Sequence, residues 1–120
     1  ADTIVLFDGQ ILGKPKDNEH SYQMLSTLSG NTHQVITGVA LQLRDKNLDE
    51  TFHAVTNVTF NTLSDSDIYY YIDTYKPFDK AGSYGIQDWF AVFVKHIDGC
   101  FYNVMGLPLA NFWEHINKLR

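Results

Sequence analysis

The sequence predicts an α/β domain in which the hairpins of a mixed, largely antiparallel sheet alternate with flanking helices. Three observations predict it. Apolar or β-branched runs meet at turn signals three times along the chain. Between them lie stretches with apolar residues at helical spacing, opened by capping residues or proline. The 120 residues, 44% apolar and 14% aromatic, suffice for one core, so residues 1–120 are read as one domain.

Residues 3–7 form a short apolar run that stops at Asp8-Gly9, a hairpin turn signal, and residues 10–12 return as a second strand. A chain that opens directly inside a sheet leads us to expect that the fold is N-terminally incomplete. After the Lys14-Pro15 break, Asp17 caps a helix carrying Tyr22, Met24, Leu25 and Leu28, which Gly30 stops. Val35, Thr37, Val39, Leu41 and Leu43 then alternate with residues of the opposite face up to a turn at Asp45-Lys46-Asn47. Residues 52–62 resume the pattern, which makes a long antiparallel hairpin. Ser64 and Asp67 open a second helix with Ile68, Tyr71, Ile72 and Tyr75 on one face, ended by Pro77. Residues 89–97 and 101–105 read as strands joined at Asp98-Gly99, with Cys100 a small buried hydrophobe. Gly106-Leu107-Pro108 opens a last helix whose face is Leu109, Phe112, Trp113, Ile116 and Leu119.

Several function classes are excluded by composition. Nine basic against fourteen acidic residues leave a formal charge of −5, without the positive field that general nucleic-acid or anionic-membrane binding requires. The single Cys100 has no internal disulfide partner, and the five histidines, His20, His33, His53, His96 and His115, include no pair at metal-ligand spacing. No apolar run approaches a membrane span and no signal peptide opens the chain, so a cytoplasmic setting is expected.

The chemistry-bearing candidates are few. Asp2, just before a buried-looking strand, is either a functional carboxylate at a strand end or a solvated turn residue. Lys14 leaves a rigid bend between Gly13 and Pro15, which suits a point charge aimed at phosphate, although surface solvation accounts for most lysines. The loop of residues 76–88 is polar where its neighbours are plainly structural. In it Gly82 and Gly85 permit close backbone approach and Lys80 can neutralise an anion. It is not a Walker loop, and no G-x-S-x-G elbow is present.

Taken in order, A-D-T at Ala1 to Thr3, L-G-K-P at Leu12 to Pro15, L-S-G at Leu28 to Gly30, H-Q-V-I-T-G-V at His33 to Val39, D-K-A-G-S-Y-G-I-Q at Asp79 to Gln87 and N-V-M-G-L-P-L at Asn103 to Leu109 closely resemble the Maf family of nucleoside triphosphate pyrophosphatases. The resemblance implies the Maf or inosine-triphosphatase-like fold. It implies hydrolysis of a nucleoside triphosphate between its α and β phosphates, giving the monophosphate and pyrophosphate with a divalent metal, magnesium or manganese. The Y-G-I-Q ending resembles the branch acting on dTTP and UTP, including modified pyrimidine nucleotides. Carried over by motif, Asp2 is the catalytic carboxylate and a candidate metal ligand. Thr3 and Gln87 are specificity positions, and Lys14 and Lys80 face the phosphates, with Asp79 beside them among the substrate-binding positions. Family members are commonly dimeric, so a homodimer is implied, and the composition locates no interface.

Two departures from the family pattern stand out. The S-x-S-P-R-R segment that usually begins the domain is absent, so the chain corresponds to roughly the C-terminal two-thirds, and weak or no turnover is expected of it. Tyr75-Lys76-Pro77 stands where the family often has G-E-P, which replaces a carboxylate by a positive charge. The alternative from another class is a catalytically impaired fragment that binds a nucleotide or a partner chain linked to cell division.

Overall fold

The computed structural model describes residues 2–43, 48–106, 113–114 and 116–117. Five strands form a sheet in the order β2-β1-β3-β4-β5: β1 (Asp2–Phe7), β2 (Gln10–Leu12), β3 (Thr32–Leu43), β4 (Leu48–Phe60) and β5 (Val94–Asp98). Every pairing is antiparallel, in keeping with an architecture of hairpins. The Asp8-Gly9 turn sets Phe7 opposite Gln10, and both residues take positive φ as a tight turn requires. The β3–β4 hairpin runs from Thr32↔Thr59 to Leu43↔Leu48, while its Asp45-Lys46-Asn47 turn lies outside the described residues.

Two helices cover one face. In α1 (Asn18–Leu28) the Asp17 carboxylate accepts the His20 N–H at 2.8 Å, and in α2 (Asp65–Tyr75) the Ser64 hydroxyl accepts the Asp67 N–H at 3.1 Å. Their apolar stripes bury Leu25, Leu28, Ile68, Tyr71 and Ile72 against Val5, Val35, Val58 and Phe60 of the sheet, and Met24 of α1 is buried as well. The tyrosine triplet divides by helical phase: Tyr71 is fully buried, whereas Tyr69 and Tyr70 stay exposed.

The third hairpin expected from sequence does not form. Residues Trp89–Phe93 make a 3₁₀ helix instead of a strand, because the Asp88 carboxylate accepts the Phe90 N–H at 2.9 Å and Phe90 inserts among Phe60, Tyr71 and Tyr84. Aromatic β-propensity yields to a local cap and to packing. After β5 the chain is captured by a side chain: the Thr56 hydroxyl accepts the Cys100 N–H at 3.1 Å. Phe101–Val104 then form one helical turn, α3, where a strand was expected. The side chain of Asn103 drives that choice. Its amide is fully buried and donates to the carbonyls of Val35 and Ala54 at 3.1 Å each and to the Thr56 hydroxyl at 2.8 Å. Cys100 consequently sits half-buried at the helix start, not as a buried strand residue. Of the last expected helix, Trp113 and Ile116 are helical and Trp113 is exposed, while Leu109, Phe112 and Leu119 lie outside the described residues. No helix among the described residues is long and apolar enough to cross a membrane.

Gly82 marks where the 76–88 loop meets the sheet. Its φ is +71°, and a Cβ there would lie 2.9 Å from Val5 Cγ2. Gly82→Ala is therefore expected to cost roughly 2–4 kcal/mol, from left-handed backbone strain and forced displacement of a core valine. A urea titration read by far-ultraviolet circular dichroism checks this through a lowered midpoint at unchanged slope.

Candidate active site

The start of β1, the segment after β2, the 76–88 loop and the end of α3 enclose a cleft of about 300 Å³. Asp2, Thr3, Lys14, Asp79, Lys80 and Gln87 all line it, as does Gly85, whereas Gly82 does not. Sheet register separates the first two. Asp2 pairs with Gly38 and has an exposed side chain, while Thr3 pairs with Thr37 and turns inward to half-burial. Lys14 and Gln87 are exposed, and Lys80 is half-buried with its ammonium 3.7 Å from the Asp79 carboxylate. An exposed intraloop pair of this kind adds little stability, and it leaves the ammonium free to exchange partners.

The loop is anchored at four places. The Gly82 N–H donates to the Gly13 carbonyl at 3.1 Å, which fixes the strand exit carrying Lys14 beside the loop carrying Lys80. The buried hydroxyls of Ser83 and Ser21 bond to each other, joining loop to α1. Tyr84 Oη lies 2.8 Å from His33 Nε2 on β3. The fourth anchor is Tyr71, whose phenol donates to Asp88 Oδ2 at 2.8 Å and accepts the Gly85 N–H at 3.0 Å. Because the Asp88 N–H also donates to the Gly85 carbonyl at 3.3 Å, Gln87 occupies the third position of a four-residue turn whose two ends one phenol ties together. Burial, then the Asp88 carboxylate, pushes the Tyr71 phenol far above its ordinary range, and burial does the same for Tyr84, so both stay protonated. Lys80 also packs against the loop: a Cβ on Gly85 would stand 2.9 Å from its Cε.

His33 is 1% exposed, and burial lowers its pKa to about 4. The unfolded chain, with an ordinary imidazole, takes a proton below about pH 6.5 that the native chain refuses until about pH 4. Stability contributed by His33 is thus complete above that window and is lost on acidification through it, by roughly 3 kcal/mol. Urea titrations between pH 7 and 4 should show that slope, and His33→Phe should flatten it.

Sequence reasoning missed part of the cleft. Val104, Met105 and Gly106 form one wall, and Tyr84 with Ile86 lines another. The N-V-M-G motif carried the signal for the first wall, but its assignment to a strand hid the turn that swings those residues toward Thr3. Among the described residues no group of three His, Cys, Asp or Glu gathers as a metal cage.

The model of Maf-like proteins matches residues 1–119. The dTTP/UTP pyrophosphatase of Carboxydothermus hydrogenoformans is 48% identical over 118 residues, which are 98% of this chain and 63% of that protein. Those of Bacillus cytotoxicus and Porphyromonas gingivalis are 54% and 53% identical, over 98% and 97% of this chain and 61% and 58% of their own lengths. The chain thus spans about three-fifths of the length of the curated relatives it matches. With a family match across essentially the whole sequence and the motif residues converging on one cleft, this chain belongs to the Maf family.

Proposed function

We propose that the cleft hydrolyses a pyrimidine nucleoside triphosphate, dTTP or UTP, between its α and β phosphates, releasing pyrophosphate and the monophosphate. The observation that carries this reading is the convergence of one carboxylate at a strand end, two lysines from separate segments and one amide on a single cleft. Asp2, exposed at the cleft margin, accepts the proton of the attacking water. Lys14 and Lys80 offset the charge that builds on the departing pyrophosphate. Gln87 presents both a donor and an acceptor to a base edge, which discrimination among bases requires. The relatives' names, dTTP/UTP pyrophosphatase, support the pyrimidine assignment.

A divalent cation fits this donor set. Magnesium is commonly held by one or two carboxylates together with substrate phosphates, so Asp2 is the residue to hold it, with Asp79 the other carboxylate of the cleft. Bound there, magnesium or manganese supplies Lewis-acid neutralisation of phosphate charge. We read the protein as acting in the cytoplasm, consistent with its unpaired Cys100, and as a homodimer that binds neither nucleic acid nor membrane.

A second reading, nucleotide binding with weak turnover, is favoured by the charge count of the cleft. Two lysines face it together with two aspartates, so its described walls do not by themselves balance a triphosphate. Pyrophosphate release from dTTP, UTP, CTP and GTP with magnesium separates the two. Release from dTTP and UTP above that from CTP and GTP is expected of the enzyme. Binding without release in any case supports the second reading.

A further inference from the structure

The hydroxyl of Thr3 does not choose its own hydrogen-bond direction. Thr3 on β1 and Thr37 on β3 are directly paired, and their hydroxyl oxygens are 2.9 Å apart. Thr37 is fully buried, and its hydroxyl donates to the backbone carbonyl of Asn103 at 3.2 Å. A carbonyl only accepts, and a hydroxyl has one proton, so that proton is committed to Asn103. The Thr3–Thr37 bond must then use the proton of Thr3. What Thr3 has left to offer the cleft is lone pairs.

The far end of this relay is held in place. The Asn103 carbonyl also accepts the Gly106 N–H at 2.9 Å, which occupies its second lone pair. The Asn103 side-chain amide is tied to β3 and β4, its two N–H groups shared among three acceptors. Reversing the relay would give up the buried Thr37–Asn103 bond and leave the Asn103 carbonyl with the Gly106 N–H alone, a net loss of one hydrogen bond in the interior. Direction therefore runs from Thr3 through Thr37 to Asn103.

We propose that Thr37 and Asn103 fix Thr3 as an acceptor-only group, so that the cleft selects a base with a ring N–H donor over one with a bare ring nitrogen at that place. Uracil and thymine carry an N–H at ring position 3, whereas cytosine carries a lone pair there and would set it against the lone pairs of Thr3. An unpaired acceptor facing an acceptor is penalised more than a missing contact, which makes this a device for rejection as well as recognition. The inference rests on the reading that the cleft takes a pyrimidine nucleotide. Thr37 touches no substrate on this account and is a positioning residue.

The test compares calorimetric affinities of the α,β-imido analogues of UTP and CTP, with magnesium, for the unaltered chain, Thr37→Val and Thr37→Ser. Valine keeps the shape but frees the Thr3 hydroxyl to turn and donate, so the preference for the uridine analogue should fall about tenfold, mainly through tighter cytidine binding. Serine keeps the relay and should keep the preference. An unchanged preference in Thr37→Val, or equal loss in Thr37→Ser, overturns the proposal. Neutron diffraction of the unliganded chain checks the relay independently of any ligand. A deuteron on Thr3 directed at Thr37 supports it, and one directed into the cleft overturns it. If the deuteron is as expected but neither analogue binds, the pyrimidine reading fails and the relay stands.

Discussion

Asp2→Asn is expected to lower pyrophosphate release from dTTP by about 10²–10⁴-fold, with little change in KM. The substitution keeps size and shape and removes only the ability to take a proton. Asp2 has an exposed side chain, and its place in the sheet is set by pairing of its backbone opposite Gly38, so folding should be untouched. An unchanged melting temperature beside a collapsed kcat is the signature of a lost proton acceptor. Loss of both together would instead make Asp2 a structural residue. If Asp2 also holds the divalent ion, the variant should need a higher magnesium concentration for its residual activity, which a metal titration reads separately.

Lys80→Met is expected to cost about 10²–10³-fold in kcat/KM, on the scale of removing one charged stabiliser of the departing phosphates. Methionine retains the aliphatic stem that packs across Gly85, so the loop keeps its backbone course and only the charge is lost. The neighbouring Asp79 then loses its ion-pair partner, at little expense because it is exposed. Lys80→Arg separates charge from shape: it restores the positive charge but enlarges the head group, and partial recovery is expected. Single-turnover kinetics on dTTP with each variant check both outcomes.

Much of the fold was legible because local rules and tertiary packing agree in the first 76 residues. Asp8-Gly9, Asp17 and Ser64 do in the structure what their chemistry suggests at those positions, and the alternation of Val35, Thr37 and Val39 marks the buried face of β3. Legibility fails after residue 88, where long-range polar contacts decide. Nothing near Phe101 announces that Thr56, 44 residues earlier, will seize the Cys100 backbone, or that Asn103 will reach three acceptors on two strands. The polar residues that line the cleft were legible from the A-D-T, L-G-K-P and D-K-A-G-S-Y-G-I-Q blocks. Their support was not, because Tyr71 reads as one more apolar position of a helix face and His33 as a histidine without a metal-ligand pair. Only the folded chain shows that their polar atoms meet the loop from beneath.

The most direct measurement is a crystal structure of this chain with magnesium and the α,β-imido analogue of dUTP. The expected result has the uracil against Thr3 and Gln87, the phosphates between Lys14 and Lys80, and the Asp2 carboxylate facing the α phosphorus through a water or the metal. A nucleotide bound away from this cleft, or seated with its phosphates on Thr3 and its base on the lysines, would contradict the assignment.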